Sequence, residues 1–68
     1  MNYSDAITAV GAGKYCWRAG WTFGWYIHET AGQILIYEAG GSGTPYHATA
    51  QDQAATDWAE GDRPPHGK

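Results

Sequence analysis

Cysteine, basic residues and long apolar runs are all scarce in this chain of 68 residues. Cys16 is the only cysteine, so no disulfide can form within the chain. Four Lys and Arg stand against seven Asp and Glu, and the net charge of −3 disfavours binding to nucleic-acid polymers, which needs a basic surface. No apolar run approaches the ~20 residues of a membrane span, and no signal peptide is evident. We therefore expect a soluble cytoplasmic protein that does not bind membranes.

The short length also limits how much core the chain can build. A domain of this size buries only about 60% of its unfolded surface, and natural chains this short usually add disulfides, a metal or a partner. His28, His47 and His66 are scattered and lack the spacing of zinc ligands, so we expect neither metal nor cofactor. We predict a homo-oligomer built from one domain at residues 1–59, followed by a flexible polar tail at residues 60–68.

The first half of the chain predicts one helix and three strands. Ser4 is a candidate N-cap for a helix over residues 5–12, which has apolar residues at helical spacing. Strands are expected at residues 14–18, 25–29 and 34–37, and the last two are joined by a Gly-containing hairpin turn. Alternation places Tyr15 and Trp17 on one face of the first strand, with Cys16 and Arg18 on the other.

The second half predicts shorter elements. Residues 40–43 form a glycine-rich loop, and residues 46–48 are interpreted as a short strand. Thr49 is a candidate cap for a second short helix, and Asp57 and Trp58 turn back as a final edge strand. The fold class is therefore α+β.

Tryptophan is the residue that this chain has in excess. Three of its four tryptophans fall within residues 17–26, around Arg18 and two glycines. Indoles stack on flat rings, and guanidinium binds phosphate with two parallel hydrogen bonds, so the segment suggests a site for a nucleotide. The alternative is that the rings are core. Trp21 and Trp25 flank a turn and are the better stacking candidates, whereas Trp17 and Trp58 are the better core candidates.

Arg18 admits two interpretations. An unpaired charge inside an aromatic strand is unfavourable, so Arg18 either stacks on an aromatic ring or pairs with Asp52 or Asp57. The functional interpretation is a phosphate clamp.

Two segments resemble functional motifs but lack residues or spacing that those motifs require. Residues 11–14 resemble a phosphate-binding loop, but Thr8 and Tyr15 stand where that motif needs a glycine and a Ser or Thr. Cys16 with a histidine could supply a nucleophile and a base, but no spacing brings them together. We expect no enzyme.

Five short motifs occur in a fixed order along the chain. They are Tyr3-Ser4-Asp5-Ala6, Ala12-Gly13-Lys14, Arg18-Ala19-Gly20-Trp21, Tyr46-His47-Ala48-Thr49 and Asp52-Gln53-Ala54-Ala55-Thr56-Asp57-Trp58. The ordered set resembles the Thoeris anti-defence protein 2 family of small phage proteins. That resemblance implies a helix packed on an antiparallel sheet, assembled as a homotetramer with ligand pockets between protomers.

The resemblance also implies a function in the host cytoplasm. Members act as sponges that bind cyclic nucleotide immune signals without cleaving them; these signals include cyclic dinucleotides of CBASS systems and glycocyclic ADP-ribose of Thoeris systems. Carried over by motif, the ligand-binding residues would be Arg18, Gly20, Trp21, Thr22, Trp25, Thr49 and Asp52.

Each residue has an expected role under this resemblance. Trp21 and Trp25 would stack bases and Arg18 would neutralise phosphate. Asp52 would accept from a base edge or a ribose hydroxyl, and Thr49 would donate to phosphate. Asp57 and Trp58 would anchor the sheet and the interface between protomers.

The chain departs from the family at two places. Thr22 replaces the usual asparagine, and residues 40–44 replace a longer insertion, so the choice of ligand does not transfer. Two other functions stay open: a small oligomeric inhibitor that binds a host protein through exposed tryptophans, and a structural phage component.

Overall fold

The computed structural model describes residues 1–22, 24–38 and 43–63, which form two short helices and one antiparallel sheet. In chain order the elements are α1 (Tyr3–Gly11), β1 (Tyr15–Arg18), β2 (Tyr26–Thr30), β3 (Gln33–Tyr37), β4 (Thr44–Pro45), α2 (Ala50–Ala54) and β5 (Trp58–Gly61). The five strands lie in the order β4-β3-β2-β1-β5. This confirms the predicted α+β class. None of the described helices is long and apolar enough to cross a membrane.

Helix α1 begins earlier than the sequence predicted, because its cap lies further upstream. Asn2, not Ser4, is the N-cap, and its side-chain oxygen accepts a hydrogen bond of 2.8 Å from the backbone N–H of Asp5. The helix ends at Gly11, and Gly13 then takes a φ of 96°, where glycine is favoured. The left-handed residue turns the chain back into β1.

The β2–β3 hairpin lies where the sequence predicted it. Thr30 pairs with Gln33 across a two-residue turn. Ala31 and Gly32 both have positive φ, 54° and 80°, as a type I′ turn requires. This turn suits the right-handed twist of the two strands, although Ala31 is an unusual residue for its position.

The second half of the chain corrects one strand prediction and one boundary. The predicted strand at residues 46–48 is wrong. Strand β4 pairs with β3 through Thr44 and Pro45, the backbone N–H of Tyr46 makes one more hydrogen bond to the Ile34 carbonyl at 3.1 Å, and the chain then leaves the sheet. The side chain of Tyr46 turns to Asp52 instead. Strand β5 is an edge strand, as predicted, but it continues to Gly61, two residues into the segment expected to be tail. The predicted glycine loop falls almost entirely outside the described residues.

Helix α1 packs on only one side of the sheet, which we call the covered face. Among the described residues, the core between α1 and the covered face contains five buried apolar residues, namely Ala6, Val10, Cys16, Ile27 and Trp58. Cys16 pairs with Ile27 between neighbouring strands, and the Cys16 thiol donates a hydrogen bond to the Ala6 carbonyl at 3.4 Å. Trp58 therefore belongs to the core as predicted.

The opposite side, which we call the open face, is defined by Tyr15, Trp17, Tyr26, His28, Leu35 and Tyr37. Tyr26 and Tyr37 stack with ring centres 5.0 Å apart, and Tyr15 stacks on His28 at 4.0 Å. All six side chains are half-buried. The prediction of Trp17 as a core residue is wrong, because alternation along β1 turns Cys16 towards α1 and Trp17 away from it.

Candidate functional site

Arg18 lies at the end of β1 and is held by two aspartates. Its Nε donates to Asp57 Oδ1 at 2.8 Å, and its Nη1 donates to Asp52 Oδ1 at 3.0 Å. Hydrogen bonds to Asp57 and then to Asp52 raise the pKa of the Arg18 side chain. Of the alternatives for Arg18, pairing with both acidic residues is confirmed. The guanidinium is therefore fixed before any ligand arrives.

Asp52 is the buried centre of this arrangement. It is the third residue of α2, whose N-cap is Thr49, and Thr49 and Asp52 form a capping box. Its Oδ2 accepts a 2.8 Å hydrogen bond from the Tyr46 hydroxyl and a 3.4 Å bond from the Thr49 N–H. Burial raises the pKa of Asp52, but hydrogen bonds from Tyr46 and Arg18 outweigh it, so the pKa falls below its ordinary value. Asp52 is therefore an ionised carboxylate.

Asp57 connects the guanidinium to the loop that follows β1. Its Oδ2 accepts a 3.1 Å hydrogen bond from the Gly20 N–H, and its backbone carbonyl accepts from the Ala19 N–H. The hydrogen bond from Arg18 is the main cause that lowers the pKa of Asp57. The same side chain thus positions Arg18 and the start of the loop.

These residues border an open cavity of about 600 Å³, which we call the main cleft. It is lined by Arg18, Gly20, Trp21, Trp25, Ile36, Pro45, Tyr46, His47, Thr49, Gln51 and Asp52. Six of the seven predicted ligand-binding residues are in this set. The seventh, Thr22, lies beside it in a second cavity.

Five residues that line the main cleft were not predicted as site residues. For two of them the sequence contained a motif that could have indicated the site. Tyr46 and His47 come three and two residues before the capping Thr49, in one of the motifs that supported the family resemblance. Interpreting them as a strand hid their role. Ile36, Pro45 and Gln51 gave no such signal, because only the pairing of β3 with β4 and the position of α2 bring them to the cleft.

Trp21 forms a wall of the cleft and also packs on the core. Its ring meets Trp58 edge to face at 5.2 Å and Tyr46 at 6.3 Å. Trp21 is half-buried, so the expectation of a ring freely presented on a turn is only partly right. Packing against Trp58 holds the indole in place.

The second cavity, which we call the small pocket, has a volume of about 160 Å³. Its lining consists of Trp17, Arg18, Ala19, Trp21, Thr22, Gly24 and Trp25. Arg18, Trp21 and Trp25 line both cavities. The two cavities are therefore adjacent.

Comparison with known proteins identifies the family. The model of the Thoeris anti-defense 2-like domain matches residues 1–60. The chain belongs to this family. Membership supports a phage anti-defence role. No curated protein and no solved structure matches the chain.

In this Thoeris anti-defense 2-like domain, the charges of the site are unequal. One guanidinium faces two carboxylates, both with lowered pKa values. The carboxylates hold Nε and Nη1, and Nη2 makes no hydrogen bond within residues 1–22, 24–38 and 43–63. Nη2 is thus the guanidinium nitrogen that no described residue engages in a hydrogen bond.

The lone thiol of the Thoeris anti-defense 2-like domain is remote from this chemistry. Cys16 is fully buried beneath α1, and burial raises the pKa of its thiol to about 11. A protonated, inaccessible thiol is a poor nucleophile, so pairing with a histidine base gains no support. Across the described ranges, no group of three or more His, Cys, Asp or Glu side chains gathers as a metal site would need.

Proposed function

We propose that this protein is a phage anti-defence sponge, which binds cyclic nucleotide immune signals in the host cytoplasm and holds them without cleaving them. The ligands would be cyclic dinucleotides of CBASS systems, glycocyclic ADP-ribose of Thoeris systems, or both. Family membership supports the anti-defence role. The main cleft supports the choice of ligand.

The observation that carries this proposal is that Arg18 and two indoles, those of Trp21 and Trp25, line the same concave cavity. The main cleft, at about 600 Å³, lies within the roughly 300–1,000 Å³ typical of small-molecule sites. Arg18 offers its Nη2 edge to phosphate, while Trp21 and Trp25 line the same cavity and can stack on bases. A flat, anionic ligand fits this combination.

The roles of the polar residues follow from their hydrogen bonds. The Thr49 hydroxyl oxygen accepts from the Asp52 N–H at 3.0 Å, so its own proton is free to donate to a phosphate oxygen. Asp52 already binds Arg18, Tyr46 and the backbone, so we assign it to positioning Arg18 instead of contacting ribose. This changes the role expected for Asp52 from the resemblance.

Sequestration needs tight binding and no chemistry. An abundant protein that releases its ligand slowly lowers the free signal below the threshold of the host effector. A preformed site serves this purpose, because the fixed Arg18 and the packed Trp21 lose little freedom on binding.

We also propose that the protein acts as a homo-oligomer, with the family's homotetramer as the working hypothesis. The open face supports this: it is rich in tyrosine and tryptophan and carries none of the charged residues of its strands, as the centres of protein interfaces do. Light scattering across protein concentrations tests the assembly. A monomer at all concentrations would reject it.

The direct test of the sponge is calorimetry with a panel of cyclic dinucleotides and cyclic ADP-ribose isomers. Bound ligand is then released by heat and identified by mass spectrometry. We expect binding and recovery of intact ligand. No binding across the panel would reject the sponge, and recovery of altered ligand would show an enzyme.

A pair of glycine substitutions assigns the binding to the main cleft. In Gly20→Ala, the new Cβ lies 3.5 Å from Asp57 Oδ2 and 3.8 Å from Arg18 Nη2, which are ordinary contacts. We expect Gly20→Ala to fold and to bind the cyclic nucleotide at least tenfold more weakly. The added methyl group does not clash with the protein, but it occupies space beside Arg18 Nη2 where a phosphate would bind. Gly11→Ala is the matched control, since its Cβ meets nothing within 4 Å and lies outside the cleft.

Arg18→Ala is a poorer test than it first suggests. Removing the guanidinium leaves the buried Asp52 without its charged partner, and such unpaired buried charges destabilise proteins strongly. Loss of binding would then be inseparable from loss of the fold.

A further inference from the structure

Two carboxylates share one guanidinium beside the main cleft, so this group of side chains carries more negative than positive charge. Asp52 and Asp57 both bind Arg18, and the pKa values of both carboxyl groups are lowered, so both are ionised at neutral pH. Among the described residues that line the two cavities, Arg18 is the only Lys or Arg. An anion that binds Arg18 therefore meets one attractive charge and two repulsive charges.

Asp57 lies beside the nitrogen of Arg18 that makes no hydrogen bond to the described residues. A Cβ atom on Gly20 would lie 3.5 Å from Asp57 Oδ2 and 3.8 Å from Arg18 Nη2, so these two atoms border the same small space. The Asp57 side chain is 36% exposed, whereas that of Asp52 is 9% exposed. A phosphate that binds Nη2 beside Gly20 therefore lies close to the more exposed of the two carboxylates.

We propose that Asp57 is a specificity-determining residue, which lets phosphodiesters bind Arg18 and weakens the binding of phosphate monoesters. This rests on the proposed binding of phosphate at Arg18 and adds a preference for one charge state of that phosphate. A diester phosphate carries one negative charge, whereas a monoester carries about two at pH 8, because its second proton is lost near pH 6.

The second charge of a monoester gains little at a site with this composition. At an arginine without acidic partners, the second charge would roughly double the Coulomb attraction. Here Arg18 attracts the added charge, but Asp52 and Asp57 repel it, and its removal from water costs additional free energy. Repulsion between two unit charges about 6 Å apart, at an effective dielectric constant of roughly 40–80, weakens binding by roughly 3- to 10-fold.

Linear and ring-closed nucleotides differ in the group to which this repulsion applies. A linear nucleotide such as AMP or ATP ends in a monoester-type phosphate, whereas a ring-closed nucleotide has no terminal phosphate and carries one charge on each phosphorus. An unfavourable charge contact with the wrong ligand is a source of specificity as effective as a favourable contact with the right one. Asp57 would thus disfavour linear nucleotides that contain the same base and ribose as the proposed signals.

The test uses two ligands without a base, dimethyl phosphate and methyl phosphate, at pH 8 and constant ionic strength. They differ by one methyl group and by about one negative charge. NMR titration that follows the indole N–H signal of Trp21 gives the ratio of their dissociation constants. Asp57→Asn removes the charge and keeps the size of the side chain. Asp62→Asn is the matched control, because Asp62 also pairs with a cation, Lys14, but lines neither cavity.

We expect the wild-type protein and Asp62→Asn to bind dimethyl phosphate at least as tightly as methyl phosphate. Asp57→Asn should shift the ratio of dissociation constants by roughly 3- to 10-fold in favour of methyl phosphate. A purely structural role of Asp57 would weaken both anions alike and leave the ratio unchanged. That result overturns the proposal, as does tighter binding of methyl phosphate by the wild-type protein, or no binding of either anion.

A pH series on the wild-type protein makes the test independent of any variant. Between pH 5 and 8 methyl phosphate gains its second charge, whereas the charge of dimethyl phosphate stays constant. Dimethyl phosphate therefore corrects for protonation of His47, which lines the main cleft. The affinity for methyl phosphate relative to dimethyl phosphate should stay constant or fall as the pH rises. A relative affinity that rises with pH contradicts the role of Asp57.

The result is separable from that of the cyclic nucleotide panel. If the panel fails and the ratio shifts as expected in Asp57→Asn, the sponge is wrong and the role of Asp57 stands. If the panel binds and the ratio does not shift, the sponge stands and the role of Asp57 is wrong.

Discussion

The covered face and the open face of the sheet are built from the same strands but stabilised in different ways. The covered face buries aliphatic side chains and Trp58 under α1, and its edge carries the Arg18 ion pairs. The open face has no described element packed on it and relies on contacts between rings, including the Tyr26–Tyr37 stack. The covered face carries charge, whereas the described strand positions of the open face carry none.

This difference shows how a very small domain divides its tasks. The described part of the chain has five buried apolar residues, which is few, and a network around Asp52 joins α2, β1 and β5 beside them. The same network holds the guanidinium of the main cleft, so stability and the proposed ligand binding would depend on the same contacts. The open face remains available for a second copy of the chain.

The largest expected effect comes from Trp58 on the covered face. Trp58 is 3% exposed, and its indole Nε1 donates to the Asp52 carbonyl at 3.1 Å. We expect Trp58→Ala to lower the free energy of unfolding by about 3–5 kcal/mol, enough to unfold much of a domain this small. Urea denaturation measures it. Trp58→Phe should lose clearly less, and equal losses would show that the ring is not packed as described.

The ion pairs of the covered face make stability depend on pH. Burial raises the pKa of Asp52, but hydrogen bonds from Tyr46 and Arg18 bring it below the ordinary value of 3.8. The unfolded state then binds more protons than the folded state just below pH 4, so the stabilisation is present above that pH and is lost as pH falls through the folded-state pKa. Thermal unfolding from pH 2 to 7 should show this loss.

Asp52→Asn tests whether this carboxylate causes the acid sensitivity. The variant keeps the shape but removes a charge from the buried pair with Arg18, and we expect a loss of about 2–3 kcal/mol at pH 7. Its stability should then fall less steeply in acid than that of the wild-type protein. Parallel pH curves would mean that other acidic residues dominate.

A smaller effect is expected on the open face. Tyr26 stacks on Tyr37 and meets Tyr15 edge to face, but it is only half-buried. We expect Tyr26→Ala to reduce the free energy of unfolding by about 1–2 kcal/mol in dilute solution. If copies join through this face, the loss should grow with protein concentration. A loss as large as that of Trp58→Ala would remove the distinction between the faces.

The smallest effect is expected at the hairpin turn, which serves both faces equally. Ala31 has a φ of 54°, a conformation that asparagine adopts more readily than alanine. We expect Ala31→Asn to increase the free energy of unfolding by about 0.5–1 kcal/mol, measured as a higher thermal midpoint. Gly32→Ala is the opposite control, since a side chain at a φ of 80° is strained.

The sequence predicted the local structure better than the contacts between distant segments. The hairpin at Ala31 and Gly32 and the cap at Thr49 depend on residues close in sequence, and both were found as expected. The cap of α1 was assigned to Ser4 because serine is favoured at N-cap positions. In the structure the Asn2 side chain accepts the hydrogen bond from the Asp5 N–H instead.

The candidate site was predictable where a motif carried it and not where pairing created it. Arg18 and its two aspartates were named together, although the sequence left open whether they meet. Tyr46 was assigned to a strand, because the bond between its hydroxyl and Asp52 depends on where β4 ends. The small pocket was not foreseen, because its walls come from both faces of β1 and from the loop beyond it.

The burial of Cys16 gives the protein an internal reporter. Because the chain has a single thiol, and its pKa is raised to about 11, a maleimide reagent at neutral pH can react only when the core opens. The labelling rate of Cys16 therefore reports how often the core opens. A ligand that binds only the closed form slows labelling in proportion to its occupancy, so a mass spectrometer can measure affinity for compounds that give no heat and no optical signal.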